Sequence, residues 1–373
     1  MNPSASFWQG RRVLLTGHTG FKGSWLTLWL EQLGAQVHGF SLDPEPVAPP
    51  GQPLFRALNL AERLGERHRI GDLCDRGAVA AAVDAARPEV VLHLAAQPLV
   101  LESYRDPLTT WSTNVIGSLE LLEALRRLEH RCAVVLVTTD KVYANQEWPW
   151  GYRETDRLGG HDPYSASKAA LELLAESWRS SFCGEALHQT PHLQIATARS
   201  GNVIGGGDWA TDRIVPDAVR ALAAGQPLEL RNPMATRPWQ HVLEPLAGYL
   251  RLAEALFQSE QGGHGGRGNP WATAFNFGPE PRSHRPTREL ATQLARQWPG
   301  QPSWRDASDP AAPHEAGQLQ LVADRAHHLL AWEPRWDFST TVARTGDWYR
   351  QVLAGTEAEA RCLADLAAYC SAV

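Results

Sequence analysis

A tyrosine and a lysine stand four residues apart in the middle of the chain, at Tyr164 and Lys168. On a helix, this spacing places both side chains on one face, about one turn apart. A lysine ammonium beside a phenol stabilises the phenolate, so the pair predicts a tyrosine of lowered pKa that can take a proton from a substrate hydroxyl. The alternative is the start of an ordinary amphipathic helix, because the same spacing is common there.

A second group of reactive side chains, Thr139, Asp140 and Lys141, follows directly on a run of β-branched and apolar residues. Ligands of doubly wound sheets bind beyond the carboxyl ends of the strands, so these side chains are expected to reach one crevice. Together they offer a hydroxyl, an acid and a second proton carrier. A surface Asp-Lys pair at a strand end is the alternative.

Three glycines, Gly17, Gly20 and Gly23, lie where a predicted strand ends and a predicted helix begins. Glycine lets the backbone approach a pyrophosphate, and the helix N-terminus behind it offers unpaired N–H groups and a partial positive charge. This context predicts a dinucleotide-binding loop rather than a turn without a ligand. The other loop residues expected to contact the cofactor are Thr19, Phe21 and Lys22.

Short β-branched runs alternate with longer segments of helical periodicity, which predicts an α/β fold with a doubly wound parallel sheet of the Rossmann type. The predicted strands are residues 12–16, 36–42, 69–72, 90–94, 133–138 and 194–200, and the predicted helices are 22–33, 76–86, 107–129 and 164–182. Residues 43–53 and 258–270 are predicted loops. We expect a cofactor-binding domain with the catalytic residues over 1–201 and a smaller C-terminal substrate-binding lobe over 202–373, some of whose segments can return to the first domain.

Composition excludes several classes of function. The 373 residues carry a net charge of -6 with Lys and Arg spread along the chain, so no nucleic-acid partner is expected. The five cysteines are widely spaced and form no Cys/His cluster, which argues against a disulfide framework and a metal site. Because neither a long apolar run nor a signal peptide is seen, we expect a cytoplasmic protein with no membrane partner and a small-molecule substrate.

The glycine spacing, together with Tyr164 and Lys168, resembles the extended short-chain dehydrogenase/reductase superfamily, and within it the sugar-nucleotide epimerase/dehydratase family. The resemblance implies a nicotinamide cofactor in contact with Tyr164 and Lys168. It also assigns cofactor contacts to residues after the third and fourth strands and to one helix asparagine, namely Asp72, Leu73, Ala95, Ala96, Gln97 and Asn114.

The choice between NAD and NADP depends on the end of the second strand. An acidic side chain there accepts hydrogen bonds from the ribose 2′-hydroxyl and repels a 2′-phosphate. Ser41 stands at the usual position, and Asp43 follows two residues later. No arginine comes before Arg56, so we expect NAD, with Asp43 near the ribose or, alternatively, in a turn before Pro44.

Asp140 and Lys141 resemble the proton carriers of the sugar-nucleotide 4,6-dehydratases rather than the small residues of C4 epimerases. The resemblance implies that Thr139 binds the substrate oxygen being oxidised, protonated Asp140 donates to the leaving O6, and Lys141 acts at C5, where TDP-glucose enzymes carry glutamate. An ammonium of ordinary pKa is a poor base. Lys141 must therefore be desolvated or crowded by a cation such as Lys168, or else it stabilises the developing enolate while another group takes the proton.

The resemblance also extends to the substrate. A lysine after Asp140 favours the dehydratases that act on CDP-glucose, although no physical feature of the sequence reveals cytosine. Asn202 would hold the diphosphate, and Arg213 and Arg237 are candidates for neutralising it, because a guanidinium meets phosphate with a two-pronged fork. Weaker candidates, which packing or capping explains equally well, are Trp239, Asn276, His314 and Glu315.

Two other functions remain open. An epimerase or another reductase of the same fold would share the cofactor and Tyr164 but would not need Asp140 and Lys141. A catalytically silent NAD-binding regulator would have no use for the tyrosine-lysine pair. We also expect a homodimer or homotetramer, because the helices at 107–129 and 164–182 resemble those that pair between subunits in this superfamily. Their apolar faces can equally be covered within the monomer.

Overall fold

The computed structural model describes residues 1–44, 46–183, 192–259, 269–300, 303–309 and 317–372. Most of the predicted loop at 258–270, and the candidates His314 and Glu315, lie outside these residues. Within the described ranges, no helix has both the length and the apolar character needed to cross a membrane.

A parallel sheet of seven strands forms the centre of the described chain. The strands of the described residues, six of which lie outside this sheet, are β1 (Arg12–Thr16), β2 (Gln36–Ser41), β3 (His68–Ile70), β4 (Val90–His93), β5 (Cys132–Val137), β6 (Leu193–Ser200), β7 (Val203–Ile204), β8 (Leu228–Leu230), β9 (Thr236–Pro238), β10 (Gln240–His241), β11 (Ala274–Phe277), β12 (His284–Pro286) and β13 (Trp304–Asp306). The sheet order is β3-β2-β1-β4-β5-β6-β11. The order changes direction between β1 and β4, where ligands of such sheets bind. The predicted doubly wound sheet is confirmed.

Helices pack on both faces of this sheet. Val13 and Leu15 of β1 enter one apolar cluster and Leu14 enters another, because successive side chains of a strand point to opposite faces. The helices are α1 (Ala5–Trp8), α2 (Phe21–Gln32), α3 (Leu54–Ala57), α4 (Leu60–Leu64), α5 (Arg76–Ala86), α6 (Val100–Arg105), α7 (Pro107–Trp111), α8 (Ser118–Leu125), α9 (Pro163–Phe182), α10 (Ile214–Ala223), α11 (Leu243–Gln258), α12 (Thr287–Ala295), α13 (Asp324–Leu330), α14 (Phe338–Leu353) and α15 (Ala358–Ser371).

Strands β4 and β5 are buried along their whole length, as expected for nearly continuous apolar runs covered on both faces. His93 is the polar exception. Its Nδ1 lies 2.7 Å from Thr16 Oγ1, and its Nε2 lies 2.9 Å from Ser118 Oγ. Burial lowers the pKa of His93 to about 3, so the ring is a neutral hydrogen-bonding link between β1, β4 and α8.

The helix predicted at 107–129 differs from the observed one. A π-helical segment, Ser112–Gly117, joins α7 to α8, and α8 ends at Leu125. Asn114 and Gly117 are buried in this segment, and a Cβ at Gly117 would lie 2.7 Å from Leu73 Cβ. Such widened turns are frequent at functional sites. The periodicity of the apolar residues did not reveal the π-helical segment, because α-helix lies both before it, as α7, and after it, as α8.

Part of the C-terminal half returns to the sheet. Strand β11 pairs with β6, and α11 packs against β5 and β6. At four residues, β11 is too short to show periodicity in the sequence. Helix α13 packs against α11 and β11, and α15 packs against α3. We call the two-stranded sheets β10-β7, β12-β9 and β13-β8, with α10 and α12, the smaller lobe.

Candidate functional site

The predicted catalytic and cofactor residues meet at the carboxyl ends of four strands. The glycine loop follows β1, residues 95–97 follow β4, the Thr139–Asp140–Lys141 turn follows β5, and Asn202 follows β6. These strand ends border the crevice where the sheet order changes direction.

The glycine loop is packed so tightly that two positions exclude any side chain. Gly17 has a φ of +75°, and a Cβ there would lie 2.7 Å from Ala95 N. A Cβ at Gly23 would lie 2.0 Å from Gly17 O. Helix α2 begins after Gly20 with neither a side-chain cap nor an acid in its first turn. Its N-terminus can therefore receive an anion, and these residues fit the pyrophosphate of a dinucleotide.

The end of β2 corrects one prediction. Thr19 Oγ1 lies 2.8 Å from Ser41 Oγ and donates to Leu42 O at 2.9 Å, which fastens the loop to β2. Asp43 is exposed and pairs with Arg56 at 3.6 Å. The expectation that no arginine lies near this strand end was wrong, because α3 brings Arg56 back to it. The Asp43 carboxylate offsets the positive charge of Arg56 and can still accept a hydrogen bond from a ribose hydroxyl.

Asn114 connects three parts of the crevice. Its Oδ1 accepts from Gln97 N at 2.8 Å, and its Nδ2 donates to Gln97 O at 3.1 Å and to Ser167 Oγ at 2.9 Å. Ser167 lies on α9 between Tyr164 and Lys168. Asn114 therefore holds the turn after β4 against the helix that carries the tyrosine and lysine.

The remaining predicted cofactor contacts border the crevice. Asp72 is exposed, and its Oδ1 accepts from Cys74 N at 2.9 Å, whereas Leu73 is buried. Ala95 and Ala96 are half-buried after β4. The side chains open to a cofactor here are the two alanines and the Asp72 carboxylate.

The turn after β5 holds a buried acid. Thr139 Oγ1 donates to Asp140 Oδ1 at 3.0 Å and accepts from Lys141 N at 3.4 Å. Asp140 is 3% exposed, and its Oδ2 is buried without a hydrogen-bond partner among the described residues. Burial raises the pKa of Asp140, while the nearby charges of Lys141, Arg237 and Lys22 and the Thr139 hydrogen bond act against this rise. The half-buried Lys141 thus lies next to an acid that burial helps to keep protonated.

Tyr164 and Lys168 occupy one face of α9, which begins after the capping residue Asp162. The predicted lowering of the Tyr164 pKa was wrong for this geometry. Burial raises the pKa of Tyr164 to about 12, and only partial compensation comes from its hydrogen bond with Thr139. Lys168 Nζ instead donates to Val137 O at 3.2 Å, and burial lowers its pKa to about 8.

Lys22 lies among the predicted catalytic residues although it was predicted as a cofactor contact. Its Nζ donates to Ser200 Oγ at 3.1 Å and to Tyr249 OH at 3.3 Å. Burial and the charge of Arg213 lower the pKa of Lys22 to about 7, while Asp140 acts in the opposite direction. The side chain therefore reaches from the glycine loop toward the end of β6.

Two predicted phosphate ligands face the same region. Arg213 Nη1 pairs with Asp208 Oδ2 at 3.0 Å, and the positive charge of Arg213 acts to lower the pKa of Tyr164. Arg237 Nη1 donates to the carbonyls of Thr236 and Gly317 at 3.1 and 3.4 Å, and its positive charge acts to lower the pKa of Asp140. The Arg213 guanidinium thus lies near Tyr164, and the Arg237 guanidinium lies near Asp140. The third candidate, Asn202, is half-buried, and its carbonyl accepts from Gln240 N at 3.2 Å.

Two substrate candidates are corrected by their burial. Trp239 is 3% exposed, and its Nε1 donates to Arg285 O at 3.0 Å, so the ring packs inside the lobe rather than facing a substrate. Asn276 is fully buried. It accepts from Tyr143 OH and donates to two backbone carbonyls, which is a structural role.

A family model matches about two thirds of the chain. The model of the NAD dependent epimerase/dehydratase family matches residues 13–265. The chain belongs to this family. The predicted family and the predicted cofactor, NAD, are thereby confirmed.

Relatives in this family cover nearly the whole chain. A CDP-glucose 4,6-dehydratase of Salmonella typhimurium is 42% identical over 353 residues, which is 94% of each chain. A dTDP-glucose 4,6-dehydratase of Streptomyces antibioticus is 31% identical over 287 residues, 75% of each chain.

Solved structures of the same family share the fold. The UDP-glucose 4-epimerase of Thermus thermophilus in complex with NAD has a TM-score of 0.71 at 25% identity, covering 91% of this chain and 99% of its own. The dTDP-glucose 4,6-dehydratase DesIV of Streptomyces venezuelae, with NAD and TYD bound, has a TM-score of 0.72 at 24% identity, covering 93% and 99%.

Three residues of the site were missed by sequence reasoning. Ser200 is the last residue of β6, and Asp208 lies in the glycine-rich segment that follows. The only feature of the sequence that pointed to them was their position at or after a strand end. Tyr249 comes from α11, and no spacing in the sequence connects it to Lys22.

Proposed function

We propose that this chain converts CDP-glucose to CDP-4-keto-6-deoxyglucose with NAD. The observation that carries the proposal is Asp140, a buried acid of raised pKa that is hydrogen-bonded to Thr139 and followed by Lys141. C4 epimerisation needs no acid at O6, whereas water elimination does. The relative from Salmonella typhimurium, named for this reaction, supports the choice over other family activities.

Thr139 and Tyr164 act at the C4 oxygen. Thr139 binds this oxygen, and Tyr164 takes its proton as the phenolate. Because burial raises the pKa of Tyr164 to about 12, the positive charges of Lys168 and of bound NAD would have to lower it during the reaction. Lys168, whose pKa of about 8 leaves it mostly protonated at pH 7, compensates the phenolate charge. Bound NAD would supply the hydride acceptor for C4 and the hydride donor for C6.

Asp140 and Lys141 act in the elimination. A ketone at C4 acidifies the C5 hydrogen and leaves the C6 hydroxyl in the β position. Asp140, whose pKa burial raises, donates in its protonated form to the departing O6. Lys141 either takes the C5 proton itself or stabilises the enolate that forms while another group takes the proton, and the two roles make different predictions for its replacement by arginine.

The diphosphate lies between the two arginines. Arg213 lies near Tyr164 and Arg237 near Asp140, on different segments after β6, and each guanidinium can form a two-pronged contact with phosphate. Asn202, at the start of the smaller lobe, contributes an amide.

The functional assembly is a homodimer or a homotetramer. Apolar side chains remain exposed on α7, the π-helical segment and α9, the elements expected to pair between subunits. These side chains are Leu108 (80% exposed), Trp111 (42%), Ile116 (49%) and Leu173 (58%). Pairing of these helices would remove that apolar surface from water.

The test supplies the purified protein and NAD with the CDP-, TDP-, UDP- and GDP-linked glucoses in parallel. CDP-glucose labelled with deuterium at C4 should yield a product with the label at C6 of the same molecule. Formation of a C4 epimer without this migration would favour the epimerase. NAD binding without turnover of any of the four sugars would favour the silent regulator. Preference for another nucleotide would retain the reaction but refute CDP-glucose as its substrate.

A further inference from the structure

A buried ion pair lies next to the Thr139–Asp140–Lys141 turn, which is called the catalytic turn below. Glu172 of α9 and Arg199 of β6 are 2% and 4% exposed at their side chains, and Arg199 Nη2 lies 2.8 Å from Glu172 Oε2. Glu172 follows Lys168 by four residues, so it lies one turn along the same helix. The reaction proposed above uses neither residue directly.

The carboxylate of Glu172 receives four hydrogen bonds. Oε1 accepts from Thr138 Oγ1 at 2.5 Å and Arg199 Nε at 3.0 Å, and Oε2 accepts from Thr197 Oγ1 at 2.7 Å and Arg199 Nη2 at 2.8 Å. Burial alone would raise the pKa of Glu172, but these hydrogen bonds and the Arg199 charge lower it. The buried charges are therefore fully compensated, and the geometry around them is closely defined.

The pair holds the catalytic turn from both sides. Thr138, which donates to Glu172, immediately precedes Thr139. Tyr143, which follows the turn, accepts from Arg199 Nη1 at 2.8 Å through its hydroxyl. Every residue from 139 to 142 thus lies between two side chains tied to the same ion pair.

The helix that carries Tyr164 belongs to the same unit. Lys168 Nζ donates to Val137 O at 3.2 Å, so α9 contacts two successive residues at the end of β5 through Lys168 and Glu172. These contacts fix where Thr139 stands relative to Tyr164.

We infer that Glu172 and Arg199 are positioning residues that hold the Thr139–Asp140–Lys141 turn in register with Tyr164 for the reaction. The inference rests on the proposed function. Misplacing a reacting group by about 1 Å can lower a rate about 100-fold, so a partial release of this turn should be measurable in kcat.

Two threonines provide a matched test. Thr138 and Thr197 are both buried and both donate to Glu172, but only Thr138 adjoins the catalytic turn. Thr138→Val should lower kcat at least about tenfold and change KM less than about twofold, whereas Thr197→Val should leave kcat within about twofold of the wild type. Thr138→Ser, which restores the hydroxyl, should recover most of the rate.

The other side of the turn supplies a second variant in case Thr138→Val fails to fold. Tyr143→Phe removes the hydroxyl that accepts from Arg199 and donates to Asn276, and the same selective loss of kcat is expected. NAD affinity and circular dichroism would be measured for each variant.

Three outcomes would overturn the inference. Equal losses of kcat in the two valine variants would mean that the ion pair acts through fold stability alone. Unchanged kcat in both Thr138→Val and Tyr143→Phe would mean that the turn needs no such support. Failure of the wild type to convert any of the four nucleotide sugars would refute the proposed function itself, and with it the inference.

Discussion

Adding one methyl group at Gly201 should displace the acid on which the proposed elimination depends. A Cβ at this position would lie 2.6 Å from Asp140 Oδ2 and 3.0 Å from Pro238 Cγ. Ordinary contact begins at 3.4 Å, so the carboxyl group must retreat by about 0.8 Å. Gly201 cannot easily move away, because Pro238 is also closer than ordinary contact.

The expected cost follows from this displacement. A reacting group moved by about 1 Å can lower a rate about 100-fold, which corresponds to about 3 kcal/mol in the activation barrier. Overpacking of this kind also costs about 1–3 kcal/mol of folding stability. Since Asp140 is proposed to act after C4 oxidation, Gly201→Ala should lose product formation while the absorbance of NADH still appears.

The assay compares kcat and KM for CDP-glucose, NADH absorbance in a single turnover, and the thermal midpoint. Gly77→Ala is the control, because it adds the same methyl group at an exposed position of α5, where the new Cβ would lie 3.3 Å from Asp75 Oδ1 and near no residue of the Asp140 turn. If Gly201→Ala folds, binds NAD and retains kcat within about twofold, the position of Asp140 does not limit turnover and the reasoning is refuted.

Three further predictions concern pH, the base at C5 and assembly. Burial raises the pKa of Glu244 from 4.5 to about 7, so the folded chain retains a proton that the unfolded chain releases. The stabilisation that protonated Glu244 contributes to the free energy of unfolding is fully present below about pH 4.5 and falls by about 3 kcal/mol as the pH rises to 7. In denaturant titrations at several pH values, Glu244→Gln should make this fall smaller. Lys141→Met should lower kcat about 100-fold or more. Recovery by Lys141→Arg would indicate electrostatic stabilisation, whereas equal loss would indicate proton transfer. Leu173→Glu should give monomers in sedimentation velocity, with Leu329→Glu, at an exposed residue of α13, as the control.

The features that could be predicted from sequence are those encoded by neighbouring residues. The glycine loop and the Tyr164–Lys168 pair each depend on one turn of backbone, so spacing was enough to place them. The catalytic turn after β5 could be located because apolar strands have ends that can be recognised. The short strand β11 carries no such pattern, and its place in the sheet is set by pairing with β6.

The features that could not be predicted depend on what surrounds each side chain. Spacing placed Lys168 near Tyr164 but did not reveal that its ammonium would donate to Val137 O. Lys22 belongs to the glycine loop in sequence and to the catalytic crevice in space, because Ser200 and Tyr249 come from distant segments. Burial, which raises the pKa of both Tyr164 and Asp140, is a property of the assembled fold.

The π-helical segment between α7 and α8 has a consequence for how this surface can change over evolution. In a continuous α-helix each residue is rotated by about 100° from the one before it. The residues that must face inward therefore determine which positions of the next turn face solvent. The widened turn relaxes that coupling. Asn114 can point inward to Gln97 while Leu108 and Ile116 stay exposed. Substitutions of these exposed apolar side chains can therefore accumulate on one side of this helix without disturbing the cofactor crevice on the other.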